Sequence, residues 1–215
     1  MGKESRKDKN SKLISPVADQ GRSWFLPVVV VIALIGVAAV AVLASQRESN
    51  VGIAPRALVD HWHGALLIHD CGTDLPFSAD DNDPEGVHTH GDGLMHVHPF
   101  TSAAAGKNAT LGAYLRATGG VLTDDLYVPG PGEVPTQLDE AVQCAGEDSQ
   151  LVLAYWDDPD SETPEIITTD LNNFPITADN FALTLARVPV GTDPADIPKS
   201  PLVGQIEQLG SLDGG

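Results

Sequence analysis

The chain has 215 residues, of which 42% are hydrophobic, and this is enough for one domain of ordinary size with a packed core. Its formal net charge is −18 at pH 7, and the residues from position 24 onward hold six basic side chains against 27 acidic ones. This excess of negative charge excludes a surface that neutralises nucleic-acid phosphates. It predicts a soluble, self-repelling surface, and the sharper alternative is that the negative field also concentrates cations near the histidines.

The N-terminal part of the sequence predicts a membrane anchor. Residues 1–23 are polar and basic, so we expect a disordered cytoplasmic tail there. Residues 24–44 carry no charge, and a helix of this length can cross a hydrocarbon layer of ~30 Å. The basic residues before this run predict a cytoplasmic N-terminus and an extracytoplasmic C-terminal domain, in a single-pass protein of the cell membrane that contacts the lipid bilayer through 24–44. A cleaved signal peptide is the alternative, because Val42-Leu43-Ala44 resembles a cleavage site.

After a polar linker over 45–57, the first predicted strand covers residues 62–71. This run is short, apolar and bounded by turn-forming residues. Alternate residues of a strand project from the same face, so His61, His63 and His69 share one face. For His69, which has apolar neighbours, both a structural role and a supporting role behind metal ligands stay open.

Residues 86–100 (GVHTHGDGLMHVHPF) predict a β-hairpin. Two extended runs are separated by the three-residue loop Gly91-Asp92-Gly93. This loop length places His88 opposite His96, and a slip of one residue would divide the histidines between the two faces. In the predicted register four imidazoles project from one face: His88, His90, His96 and His98.

All seven histidines of the chain lie between positions 61 and 98, and six of them form three His-x-His pairs. Neutral imidazole is the commonest protein ligand for transition metals, and a site built from nitrogen ligands favours copper or zinc. We therefore predict a copper or zinc site on this face. The first-choice ligands are His88, His90, His96 and His98, the second pair is His61 and His63, and Asp92 and His69 are in supporting positions. Met95 alternates with His96, so we expect it in the core.

Two other functions would use the same histidines. Three histidines with an open coordination position can activate water, as in a hydrolase or a cupin-like oxygenase. The carboxylates considered as a general base or as supports for the ligands are Asp60, Asp70, Glu85 and Asp92. The glutamate of the cupin pattern is missing, and no H-E-x-x-H motif or nucleophile elbow is present. The second alternative is a pH sensor, since clustered imidazoles would gain like charges near ~pH 6.

The remaining residues predict an α+β domain over 58–190. Residues 108–119 form a short helix, with Asn108 or Thr110 as the N-cap and Gly119 at its end. Predicted strands follow at 151–156, 165–169 and 181–188. We expect a mainly antiparallel sheet with one principal helix, in addition to the transmembrane helix. Residues 191–215 are rich in Pro, Gly, Asp and Ser, and we expect a disordered tail there.

The two cysteines, Cys71 and Cys144, lie in the predicted extracytoplasmic domain. Thiols tend to oxidise in this environment, so we predict a disulfide between them. The alternative is a pair of metal thiolates, but zinc sites more often bring cysteines together as C-x₂-C, and these two are far apart in the sequence.

The order of these motifs is similar to that of a known group of proteins. A His-x-His strand, Cys71-Gly72, the hairpin HTHGDGLMHVHPF and the helix ATLGAYLRATGG resemble a family of uncharacterised exported or single-span proteins of bacteria and archaea. In that family a hairpin of the form HxHGDGxxHxHP precedes a TLGxFL-type helix. The resemblance covers about 58–190 and is most specific over 88–120. It implies a β-grasp-like fold and an extracytoplasmic position, and it implies no particular reaction.

Overall fold

The structure is a computed structural model. It describes residues 24–48, 53–75, 84–90, 93–130 and 137–210. The chain divides into two units, Met1–Gln46 and Arg47–Gly215. The predicted cytoplasmic tail, 1–23, lies outside the described residues.

The first unit is dominated by helix α1, Phe25–Glu48. Its segment Phe25–Val42 is exposed along its whole length, and by length and composition it is able to cross a membrane. The helix contains almost all of the predicted span and continues four residues beyond its expected end at Ala44, into the predicted linker. An apolar helix at this position is therefore confirmed.

The described part of the second unit contains ten strands and two α-helices. The strands are β1 (Trp62–Asp70), β2 (Thr73–Leu75), β3 (Val87–Thr89), β4 (Leu94–Val97), β5 (Val121–Leu122), β6 (Leu126–Val128), β7 (Leu138–Asp139), β8 (Ser149–Trp156), β9 (Glu165–Ile167) and β10 (Phe181–Pro189). The α-helices are α2 (Leu111–Thr118) and α3 (Val203–Gly210), and short 3-10 helices cover Gly106–Asn108, Leu171–Asn173 and Pro194–Asp196.

Seven of these strands form one sheet. Its order is β3-β4-β1-β10-β8-β9, and β2 pairs with β1 beyond the end of β4, on the same edge. The pairing of β1 with β10 is parallel, and the other pairings in the sheet are antiparallel. Strands β5, β6 and β7 form a second, small antiparallel sheet. The prediction of a mostly antiparallel α+β domain is confirmed, whereas the β-grasp-like assignment stays a prediction.

One face of the large sheet packs against helix α2. Leu66 of β1 and Met95 of β4 belong to this core, together with Tyr114 of the helix. Of the two predicted N-cap residues, Thr110 begins the helix, because its side chain accepts a hydrogen bond from the backbone N–H of Ala113. It ends at Gly119, whose φ of 77° is readily adopted by glycine.

The opposite face of the sheet is covered by the C-terminal segment. Ile197 packs against residues of β8 and β10, and Ile206 of α3 packs against Ala65 of β1 and Leu94 of β4. Both isoleucines are buried. The prediction of a disordered tail over 191–215 is wrong for residues 194–206, because apolar side chains among the prolines and glycines bury themselves on this face.

The predicted disulfide between Cys71 and Cys144 is confirmed, with the two Cα atoms 5.3 Å apart. It connects the end of β1 to the turn before β8. Next to it, the guanidinium of Arg187 forms an ion pair with Asp70 at 2.6 Å and donates a hydrogen bond to the backbone oxygen of Val142 at 2.6 Å. These contacts fix the end of β1 that lies away from His61 and His63.

Candidate metal centre

The three His-x-His pairs come together on three neighbouring strands. Strand β4 lies between β3 and β1 in the sheet. The antiparallel registers place His88 opposite His96, and His96 opposite His63. The predicted hairpin register is therefore confirmed, and the first pair of histidines lies beside it. Residues directly opposite each other share a face, and the members of each pair are two residues apart, so all six side chains are placed on the same face.

The tightest group of ligands consists of His61, His63 and His96. One ring nitrogen from each of these histidines can be chosen so that the three nitrogens lie within 4.8 Å of one another. Nε2 of His61 is 3.3 Å from Nδ1 of His96. Two nitrogens bound to one tetrahedral zinc ion, at bond lengths of about 2.0–2.1 Å, are also ~3.3 Å apart. The three rings are therefore able to hold a metal ion after small side-chain movements.

The remaining three histidines of the cluster are connected through His88, whose ring contacts His90 and His98. Nε2 of His88 is 2.8 Å from Nε2 of His90. The ring centroid of His98 is 4.8 Å from that of His88 and 4.9 Å from that of His61. The His96 ring lies 4.5 Å from the His90 ring. The two groups therefore form one continuous cluster.

The cluster is set into the sheet and opens to solvent. His63, His88 and His96 are only 5%, 2% and 7% exposed. His61 and His90 are exposed, and His98 is half-buried. Below the cluster, on the same face, Ala65 and Leu94 are covered by Ile206 of α3. The buried rings are held in fixed positions, which preorganises the site. The exposed rings give an ion access from solvent.

The observed grouping differs from the predicted one. The sequence placed His96 with the other hairpin histidines as first-choice ligands, whereas in the structure His96 forms the tightest group with His61 and His63. This grouping depends on the pairing of β1 with β4, which joins residues 29 to 35 positions apart in the sequence. Asp92, predicted to support the ligands, lies outside the described residues.

His69 does not fit its predicted supporting role. It lies six residues along β1 from His63, which corresponds to ~20 Å in an extended strand. Its Nδ1 is 2.6 Å from a carboxylate oxygen of Asp74, and its Nε2 accepts a hydrogen bond from the backbone N–H of Gly72. Both ring nitrogens are thus occupied, and His69 holds the turn between β1 and β2.

Three of the carboxylates considered as catalytic bases are paired with arginines. Arg116 contacts Glu85 at 2.9 Å, and Arg187 contacts Asp70 at 2.6 Å. Asp60 accepts hydrogen bonds from the backbone and guanidinium of Arg56, and the bond from the Arg56 side chain lowers the pKa of Asp60 below its ordinary value. Because arginine side chains hold these three carboxylates, they are poorly placed to contact a metal-bound water.

Asp179 supports a candidate ligand, although the sequence analysis did not identify it. Strand β10 begins opposite Gly64, so His63 lies just beyond the parallel ladder. The Asp179 carboxylate accepts hydrogen bonds from the backbone N–H groups of His63 at 2.9 Å and Asn180 at 2.8 Å. It therefore takes the place of a strand partner for His63. The available signal was an Asp-Asn pair directly before an alternating strand, which is typical of a turn.

No model of a known protein family matches the chain, and no curated protein or solved structure matches it either. The resemblance to histidine-hairpin proteins therefore stays a prediction. What the protein does has to be inferred from the chemistry of its site.

Proposed function

We propose that this protein binds a transition metal ion, copper or zinc, on the extracytoplasmic side of a membrane. The observation that carries the proposal is the proximity of His61, His63 and His96, whose ligand nitrogens lie within 4.8 Å of one another. Apolar packing gives no reason to bring three imidazoles together, two of them buried. A shared metal ion gives such a reason, because it uses the lone pairs that neutral imidazoles direct at one another.

The choice of copper or zinc follows from the donor atoms. Nitrogen ligands suit both ions, and the usual order of affinities favours copper(II) where both are present. Sulfur donors are not offered by the nearby residues of the described structure. Met95 is buried in the core on the other face of β4, as predicted, and both cysteines are in the disulfide. A site for copper(I), which prefers thiolate and thioether ligands, is therefore less well supported.

The proposed location rests on two features. Helix α1 has the length and composition of a membrane span, and the Cys71–Cys144 disulfide is typical of an oxidising compartment. The basic residues before position 24 favour a cytoplasmic N-terminus. The resemblance to exported and single-span proteins, with its β-grasp-like domain, supports the same location.

Binding is better supported than catalysis. A histidine triad leaves a fourth position open on a tetrahedral ion, which is what a hydrolytic site needs. Activation of water also benefits from a free carboxylate nearby, and Asp60, Asp70 and Glu85 are engaged by arginines. We therefore assign the cluster to metal binding rather than to a hydrolase or a cupin-like oxygenase.

The test uses the full-length chain, purified in detergent. It is incubated with copper(II) or zinc(II), dialysed against a weak chelator, and analysed for bound metal by mass spectrometry. We expect at least one ion per chain to be retained. The variant His61→Ala/His96→Gln should retain at least one ion fewer than the control His69→Ala. A chain that retains neither metal would contradict the proposal, as would equal retention in the two variants.

A further inference from the structure

We infer that the histidine cluster binds two metal ions side by side, the first at His61, His63 and His96 and the second at His88, His90 and His98. This inference rests on the proposed function, because it assigns the number and placement of the ions at the same cluster. The second group of ligands is carried by the hairpin and the first group mainly by β1.

The number of histidine ligands in the cluster indicates more than one ion. Zinc sites in proteins are almost always four-coordinate, and copper(II) with nitrogen ligands prefers four in-plane positions. Six imidazoles on one face therefore exceed what one such ion uses. The group His61, His63 and His96 can supply three nitrogens to one ion. Three rings are left over, and the His88 ring contacts both the His90 ring and the His98 ring.

The geometry of the His88 and His90 rings fits a second ion. Nε2 of His88 and Nε2 of His90 are 2.8 Å apart, and their rings are nearly perpendicular, at 79°. Two neighbouring nitrogens on a square-planar copper(II) ion with bonds of about 2.0 Å lie ~2.8 Å apart. The His98 ring contacts the His88 ring at 4.8 Å between centroids, and a side-chain movement of His98 would bring a third nitrogen to this ion. The two Nε2 atoms of His88 and His90 are thus already at the spacing of neighbouring ligands on a square-planar copper(II) ion.

His96 lies between the two groups of histidines. It lies on the central strand of the three, with His88 opposite on β3 and His63 opposite on β1. Its Nδ1 is 3.3 Å from Nε2 of His61, while its ring is 4.5 Å from the His90 ring and 5.6 Å from the His88 ring. One side chain therefore contacts ligands of both sites, which makes the two ions close neighbours.

The negative charge of the chain favours binding of two cations. Two divalent ions held by neutral imidazoles bring positive charges together on one face. The part of the chain from residue 24 onward contains 27 acidic and six basic side chains, and this negative field offsets the repulsion between the ions and attracts them to the site.

The experiment is a titration of the full-length chain in detergent with copper(II) alone. Bound copper is measured after removal of free ions, and the bound ions are observed by electron paramagnetic resonance. We expect two ions per chain with a magnetically coupled spectrum. The variant His90→Ala/His98→Ala removes an exposed and a half-buried ligand of the second group, and it should bind one ion with an uncoupled spectrum. The control His69→Ala should behave as the unchanged chain does.

The outcomes separate this inference from the proposed function. Binding of one ion by the unchanged chain would overturn the inference and leave the proposed function intact, whereas binding of no ion would overturn both. Two ions in His90→Ala/His98→Ala would also overturn the inference. Circular dichroism establishes that the variants fold. If the double variant is unfolded, His61→Ala, which removes an exposed ligand of the first group, should bind one ion, and retention of two would overturn the inference.

Discussion

The two ends of strand β1 carry the same residue type on the same face but in different surroundings. At one end, His61 and His63 have other imidazoles as neighbours, with ring centroids 4.7 Å apart within the pair and 4.8 Å between His63 and His96. At the other end, His69 is held by the Asp74 carboxylate and the backbone N–H of Gly72, beside the disulfide. The first arrangement leaves ring nitrogens directed at a common volume, and the second uses both nitrogens to fix a turn.

This difference shows that partners, and not residue type, assign a role to a histidine. A carboxylate and an amide satisfy His69 in the manner of an ordinary structural residue. Imidazoles that contact one another gain most from an ion that accepts a lone pair from each of them. Substitutions at one end of β1 should therefore leave the other end unchanged.

Removal of the disulfide should have the largest effect, and it should affect stability alone. The variant Cys71→Ala/Cys144→Ala opens a loop with a sequence separation of 73 residues, and in the chain-entropy model this lowers the free energy of unfolding by about 4 kcal/mol. Urea denaturation of the full-length protein measures the loss. Under native conditions the variant should bind as much metal as the unchanged chain. A loss of metal binding in folded protein would show that the two ends of β1 are not independent.

The substitution His96→Gln should have the largest effect on metal binding. His96 contributes to the tightest group and contacts rings of the second group, so its removal takes a nitrogen from the centre of the cluster. We expect the affinity for zinc(II) to fall by about 100-fold. Loss of a residue that only supports a metal ligand costs up to about 100-fold in affinity, and loss of a ligand should cost no less. Calorimetric titration measures the change. An affinity within twofold of that of His69→Ala would contradict the proposed ligand set.

Acid should weaken metal binding more than it weakens the fold. A metal and a proton compete for the same ring nitrogen, so we expect zinc affinity to fall by at least about 10-fold between roughly pH 7 and pH 5. The measurement is a titration at each pH, followed in parallel by circular dichroism. If metal-free protein instead changes its structure cooperatively near pH 6 and affinity for zinc does not change, the pH-sensor alternative is favoured.

The substitution His69→Ala should affect only the structural end of β1. It removes the hydrogen bonds to Asp74 and Gly72, which are partly exposed to solvent, and we expect it to lower the free energy of unfolding by about 1 kcal/mol. Thermal unfolding measures the loss. Bound metal per chain should not change, and a lower metal content would restore the supporting role that the sequence predicted for His69.

The smallest expected effect concerns Asp60, directly before the cluster. The Arg56 side chain lowers the pKa of Asp60 in the folded protein. The contribution of this pair to stability is therefore fully present above the ordinary aspartate pKa of the unfolded chain, and it is lost as the pH falls through the lower pKa of the folded chain. The free energy of unfolding should depend less steeply on pH below about pH 5 in Asp60→Asn. An unchanged slope would show that the ion pair contributes nothing measurable, as is common at surfaces.

The local features of this fold could be predicted from the sequence. The register of His88 with His96 follows from alternation and from the length of the loop, which are properties of adjacent residues. The ends of α2 follow from Thr110 and Gly119, whose preferences are equally local. The disulfide followed from having two cysteines in a domain predicted to be exported.

Long-range pairing and weak apolar patterns could not be predicted in the same way. The contact of His63 with His96 depends on which strand lies next to β1, and the residues of the two strands do not specify that choice. Helix α3 was missed because proline, glycine and serine dominate the composition of its surroundings. The spacing of Val203 and Ile206, which is typical of one helix face, was the available signal.

X-ray absorption by zinc bound to the full-length chain tests the central claim most directly, because it identifies the atoms around the ion. We predict a first shell of nitrogen at about 2.0–2.1 Å, with the multiple scattering that imidazole rings produce. In His61→Ala/His96→Gln the amount of zinc bound in such an imidazole shell should decrease relative to His69→Ala. A shell that contains sulfur at about 2.3 Å, or oxygen without imidazole scattering, would contradict the assignment of the histidine cluster as the metal site.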